Sequence, residues 1–224
     1  MTPSGRRPLI VLLLAVLVVG CGREHAATTD TDGGSAGIEA VVDDLNNYWQ
    51  HADGDLDFDY QPIPADRVGT VADGLTCNNV PLNPEEVEGN AYVDPSCDEG
   101  IIVAYDPRYV GASLARAEAT MAHEWGHVVQ AQADDLDISQ DPDGLPIDAE
   151  LQADCFAGAW AAERAEAHID RLRADTAKAG DPGDVDIDDP HAHGTPAQRT
   201  TAFDVGLEGG PAACVDELID ALPQ

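Results

Sequence analysis

Positive charge is what this sequence has least of. Its 224 residues hold 11 lysines and arginines against 43 aspartates and glutamates, a formal net charge of −32, and Lys178 is the single lysine. A surface so short of cations repels nucleic acid and anionic lipid headgroups, which excludes nucleic acid as a partner. The same excess disfavours acidic substrates, although adaptation to solubility or salt explains the charge without reference to any substrate. Long apolar runs are missing too. The run from Leu9 to Val19 is too short to span a bilayer comfortably. No internal repeat is visible. The cysteines lack the paired short spacing of a zinc–cysteine site, and none resembles a nucleophile.

What is there begins with a targeting segment. Arg6 and Arg7 precede the apolar run, which ends Leu17-Val18-Val19-Gly20-Cys21. A small residue before Cys, after a branched apolar pair, resembles a bacterial lipoprotein cleavage box. Residues 1–20 then form a lipoprotein signal peptide, and Cys21 becomes a diacylated amino terminus. Two acyl chains anchor stably where one is marginal, so the expected location is the extracytoplasmic face of the cell membrane. Residues 21–36, rich in Gly, Thr, Ala and Asp, read as a flexible tether. Residues 37–224 suffice for one domain with its own core. Cys77, Cys97, Cys155 and Cys214 remain, an even count that suggests disulfides outside the cytoplasm. Four cysteines allow three pairings. Favoured are Cys77–Cys97, which closes a local loop, and Cys155–Cys214, which ties down the carboxyl terminus.

Within the domain, residues 38–52 form an amphipathic helix with Ile38, Val41, Val42, Leu45, Tyr48 and Trp49 on one side. An acidic loop over 53–66 follows, and a short strand spans 101–105. Residues 111–134 read as a helix, then a loop runs through Pro142 and Pro146, and a second helix covers about 148–173. An Asp/Gly/Pro loop fills 179–192. Thr195 before Pro196 marks a capped helix start, and a last helix spans about 211–221. The class is helix-dominated α+β with a short antiparallel sheet.

Chemistry concentrates in two segments. In His123-Glu124-Trp125-Gly126-His127 the histidines are four apart on a helix, so their imidazoles share one face about 6 Å apart. That suits two nitrogen ligands of one tetrahedral Zn²⁺. Glu124 points elsewhere but stays within reach of a water that the metal activates, as a general base must. In Glu150-Leu151-Gln152-Ala153-Asp154 two carboxylates leave one helix face. Like charges there destabilise the helix unless a cation sits between them. Zn²⁺ held by Glu150, with Asp154 accepting the free N–H of His123, answers that cost. A metzincin needs Gly and His where this chain has Gln130 and Ala133, so the third ligand is a glutamate from another helix.

These segments carry a resemblance. The stretch from His123 to Gln130, the run Glu150-Leu151-Gln152-Ala153-Asp154-Cys155-Phe156-Ala157-Gly158 and the run His193-Gly194-Thr195-Pro196-Ala197-Gln198-Arg199 resemble the bacterial putative neutral zinc metallopeptidase family. The likeness covers about residues 70–220, with Asn90-Ala91-Tyr92 and Ile102 to Asp106 similar to a strand upstream of the zinc helix. Asn90 to Cys97 departs, being longer and more acidic. The resemblance implies a zincin-like, gluzincin-type fold, Zn²⁺ as cofactor and a peptide or protein substrate. By motif, His123, His127 and Glu150 are its ligands, Glu124 its base, and His193 a donor to the oxyanion, with His191 as a rival. Arg199 reads as the partner of a buried carboxylate. Asn90 to Val93 or Ile101 to Tyr105 offers an edge strand to an extended peptide. Two other readings keep the metal: a non-catalytic envelope binding protein stapled by zinc, and a zinc-dependent cell-wall amidase.

Overall fold

The structure is a computed structural model that describes residues 35–52, 56, 58–133, 137, 146–181, 192–216 and 218–222. The signal peptide, Cys21, the tether up to residue 34, the Pro142 loop and His191 lie outside the described residues. Among the described residues no helix is long and apolar enough to cross a membrane.

Helix α1 (Ser35–Ala52) buries Ile38, Val41, Val42, Leu45 and Trp49, the stripe that 3.6-residue periodicity sets on one face. Its Asp44 accepts a 3.0 Å hydrogen bond from Trp160 Nε1 and pairs with Arg164. Trp49 meets Phe156 edge to face at 5.4 Å. Short strands follow: β1 (Val68–Gly69), β2 (Thr76–Cys77) and β3 (Val80–Pro81), then one helical turn, α2 (Pro84–Val87), then β4 (Ala91–Asp94) and β5 (Ile102–Tyr105). The β2–β3 hairpin turns on Asn78 and Asn79, both left-handed (φ 54° and 62°), a conformation asparagine tolerates better than most residues. Glu99 accepts both their backbone N–H groups, at 2.9 and 3.0 Å. The Cys77–Cys97 disulfide closes this loop as expected.

The larger sheet has the order β1-β5-β4, with β5 antiparallel to β4 and parallel to β1. The expected antiparallel pairing is therefore present, and the β1–β5 pair makes this sheet mixed. A two-residue strand is too short to show the period that would announce it. Strand β5 is buried on both faces: Val103 and Tyr105 meet the main core, while Ile102 and Ala104 meet a smaller cluster around Leu75, Leu82 and Val87. Strands β1 and β4 are the two outer strands.

Helix α3 (Pro107–Val110) is one turn, capped by Asp106, and leads into α4 (Leu114–Gln132), capped by Ser113. Helix α4 runs through the centre and is buried nearly all round, as is α5 (Pro146–Ala161). The helix expected over 148–173 is two helices: α5 ends at Ala161, and α6 starts afresh over Glu166–Lys178. Arg164 accounts for the break. Its guanidinium stacks on the Trp160 ring, donates to the Trp160 carbonyl and pairs with Asp44, so side-chain bonds replace the next helical turn. Helix α7 (Pro196–Asp216) opens on a capping box in which Thr195 Oγ1 accepts from Gln198 N and the Gln198 side chain accepts from Thr195 N. It kinks at Gly210 (φ 72°) before Pro211, where a proline cannot continue the helix, and α8 (Leu218–Ala221) follows. The last expected helix, 211–221, is thus the end of α7 plus α8. The Cys155–Cys214 disulfide ties α7 to α5 as expected.

Three glycines set the helix spacing. A Cβ at Gly158 would lie 1.9 Å from the Phe203 carbonyl oxygen, and one at Gly206 1.8 Å from the Cys155 oxygen, so α5 and α7 cross backbone to backbone. A Cβ at Gly126 would lie 2.5 Å from Cα of Ala153. Gly126→Ala is expected to lower stability by about 2–3 kcal/mol and to weaken zinc binding, because it pushes α5 off α4 beside Asp154. Urea denaturation and zinc titration measure both; a variant as stable as the parent would contradict this packing.

Candidate metal centre

Helices α4 and α5 bring the five residues singled out from the sequence together. His123 and His127 leave one face of α4, with ring centroids 4.8 Å apart and ring planes at 87°. Glu150, in the first turn and a half of α5, faces both: its Oε2 is 3.2 Å from His123 Nε2 and its Oε1 is 3.4 Å from His127 Nε2. One nitrogen from each ring and one carboxylate oxygen lie within 4.8 Å of one another. Glu150 Oε2 is buried and makes no well-aligned hydrogen bond despite its 3.2 Å approach to His123 Nε2, which suits it to a cation held between them. A set of two imidazoles and one carboxylate fits Zn²⁺, with room for a fourth ligand on the cleft side.

The far nitrogens are fixed by acceptors. His123 Nδ1–H donates to Asp154 Oδ1 at 2.9 Å, so Nε2 is the lone pair that faces Glu150. Arg199 clamps the same carboxylate, donating from Nε to Oδ2 at 2.6 Å and from Nη2 to Oδ1 at 2.7 Å, and from Nη1 to the Ala179 carbonyl at 3.0 Å. His127 Nδ1–H donates to Gln130 Oε1 at 2.8 Å. Gln130 Nε2 in turn donates to the Ala149 carbonyl and to Gln152 Oε1, and Gln152 donates to the Cys214 carbonyl at 3.2 Å. Neither glutamine was singled out from the sequence. The available signal was Gln130 three residues after His127, close enough on a helix to reach its ring.

Glu124 is 6 % exposed, lines the cleft, and is outside the converging trio. Burial pushes its carboxyl up. His193, on the loop before α7, does not join the trio: its Nε2 is 3.9 Å from Glu150 Oε2 and its side chain is half-exposed. Its backbone N–H donates to Asp181 at 2.7 Å, which fixes it at the cleft rim. The cleft is about 880 Å³ and open. Strand β4 forms one wall, from Ala91 to Val93, while Tyr105 on β5 is in the core.

Without metal, protons take the cation's place. Burial pushes His123 down, but Asp154 and Glu150 outweigh it and hold the ring up at about 10. Burial pushes Glu150 up, yet the two histidines hold it far below the usual carboxylate range. Burial likewise raises Asp154, and Arg199 and His123 more than reverse it. A ring whose folded pKa exceeds its unfolded value of 6.5 stabilises fully below pH 6.5 and loses that contribution as pH rises through 10. The carboxylates contribute above their unfolded values of 4.5 and 3.8 and lose it as pH falls. The Tm of metal-free protein is therefore expected to fall from pH 6.5 to 10, while zinc affinity rises over the same window as the protons leave. Calorimetry and zinc titration check this; a flat Tm across that window would mean the rings are neutral.

Residues 108–218 match the model of a family described as putative neutral zinc metallopeptidase, and this part of the chain belongs to that family. The match starts in α3, so β4 and the Asn90 to Cys97 segment lie outside it. No curated protein and no solved structure matches the chain.

Proposed function

From that membership we propose that the chain is a zinc-dependent peptidase in which His123, His127 and Glu150 hold the metal and Glu124 is the general base. When bound, zinc supplies Lewis acidity, which lowers the pKa of a water toward ~7 and polarises a carbonyl oxygen. Glu124 takes a proton from the attacking water and delivers it to the leaving amine, and burial, by raising its carboxyl, suits it to both steps. His193 at the rim donates to the developing oxyanion. Asp154 and Gln130 hold the two imidazoles in the tautomer that presents Nε2 to the site. An extended substrate pairs along the free edge of β4, which lines the cleft. Residues 1–20 direct export, Cys21 carries the lipid, and the domain works on the extracytoplasmic face of the membrane. Two disulfides suit that oxidising side.

The observation that carries this reading is the meeting of three ligand atoms in an open cleft beside a buried, unligated carboxylate. The test is metal removal. A chelator is expected to abolish cleavage of a mixed peptide library, and one equivalent of Zn²⁺ to restore it. Cleavage by the stripped protein would overturn the proposal.

A further inference from the structure

We propose that Arg116 is a specificity-determining residue that binds a carboxylate of the substrate two to four residues from the scissile bond. This rests on the peptidase reading and adds a substrate class: peptides with an acidic side chain or a free carboxyl terminus at that distance.

The argument starts from scarcity. Acids outnumber cations 43 to 11 in this chain, so a guanidinium should find a carboxylate. Arg108, Arg164, Arg173, Lys178 and Arg199 do, and Arg67 instead donates to the Thr76 and Gly100 carbonyls. Among the described residues Arg116 pairs with none, and its side chain makes no hydrogen bond. Its guanidinium stacks instead, with the guanidinium carbon 5.1 Å from the centre of the Tyr109 ring. Both side chains line the cleft that holds His123, Glu124 and Glu150.

Helix stability does not explain it. Arg116 is the third residue of α4, where the helix dipole favours an acid, and that first turn has none. Position explains it better. Arg116, Thr120, His123 and His127 follow one stripe of α4, and all four line the cleft. Seven residues at 1.5 Å rise put Arg116 about 10 Å along the helix from His123. An extended peptide covers that span in about three residues. Arg116 is partly buried and its guanidinium is stacked on an aromatic ring, so less freedom is lost when a carboxylate docks. The chain's negative field opposes acidic peptides at long range, but that field decays over about 8 Å at physiological salt, whereas a direct pair with the partly buried Arg116 is screened much less.

The experiment uses zinc-loaded protein and a peptide series in which Asp, Asn or Lys is walked through four positions on each side of the scissile bond. Each peptide is made with a free or an amidated carboxyl terminus. One register is expected to favour the acid at least tenfold in kcat/KM. That ratio should fall to near one in Arg116→Gln, and in Arg116→Glu the register should favour Lys. An effect that follows the Asp position identifies a side-chain carboxylate, and one confined to free termini identifies the terminal carboxylate. Either supports the inference. Binding of the same peptides to zinc-loaded Glu124→Gln, read by fluorescence anisotropy, gives the ratio independently of turnover. Absence of cleavage with an intact Arg116-dependent binding ratio would sink the peptidase reading alone. A ratio unchanged by Arg116→Gln in both assays would overturn this inference alone.

Discussion

Glu124→Gln is expected to keep one zinc per chain and to lose about 10²–10⁴-fold in kcat/KM, the contribution of a positioned general base. The substitution preserves shape and removes only the ability to take a proton. Glu124 is outside the ligand trio, so the donor set for the metal is untouched. It is also buried and held high by desolvation, so a neutral amide fits its surroundings at least as well as a charge. Stability should therefore hold or rise slightly. Elemental analysis, thermal denaturation and steady-state kinetics separate the three quantities. Loss of zinc with loss of turnover would make Glu124 part of the metal shell, and full turnover would remove it from catalysis.

Asp154→Ala is expected to be the most damaging single change to the fold near the site. Its carboxylate is 1 % exposed and faces Arg199, whose side chain is 4 % exposed, through two short bonds of 2.6 and 2.7 Å. Removing one partner leaves a buried charge uncompensated, at a cost of about 3–5 kcal/mol. The same change removes the acceptor that orients His123, so zinc affinity should drop about 10–100-fold. The two effects come apart in a double variant. Asp154→Leu with Arg199→Met removes both charges and should regain much of the lost stability, as buried pairs replaced by apolar residues often do. Zinc affinity should stay low, because His123 still lacks its acceptor. Urea denaturation and zinc competition titration read the two axes. A destabilisation below about 1 kcal/mol in Asp154→Ala would contradict the buried clamp.

The site was legible where a helix makes the chemistry local. His123 and His127 share a face because 3.6 residues make a turn, and Glu150 and Asp154 share another for the same reason. Local spacing also carried the α1 stripe, the β5 strand, the Thr195–Pro196 start and the Cys77–Cys97 loop, whereas the favoured Cys155–Cys214 pairing spans 59 residues. It failed where the partner is distant. The break between α5 and α6 comes from Arg164 reaching Asp44 of α1, a contact across 120 residues. The β1–β5 pairing rests on two residues, fewer than a pattern needs. Gln152 looked like an ordinary helix residue, and only the approach of α4 and α7 turns it into the link between Gln130 and the Cys214 carbonyl.

The donor set is written in short segments, since side-chain chemistry and helical spacing are local properties, and those point to two nitrogens, one oxygen and a base. Tertiary structure alone decided that they converge. Gly158 and Gly206 let α5 and α7 pack with backbones in contact, and a Cβ at Gly126 would meet Ala153 and push α5, which carries Glu150 and Asp154, off the helix that carries the imidazoles. That Arg116 meets no carboxylate among the described residues was likewise settled by packing, because ion pairing depends on what each side chain can reach through space.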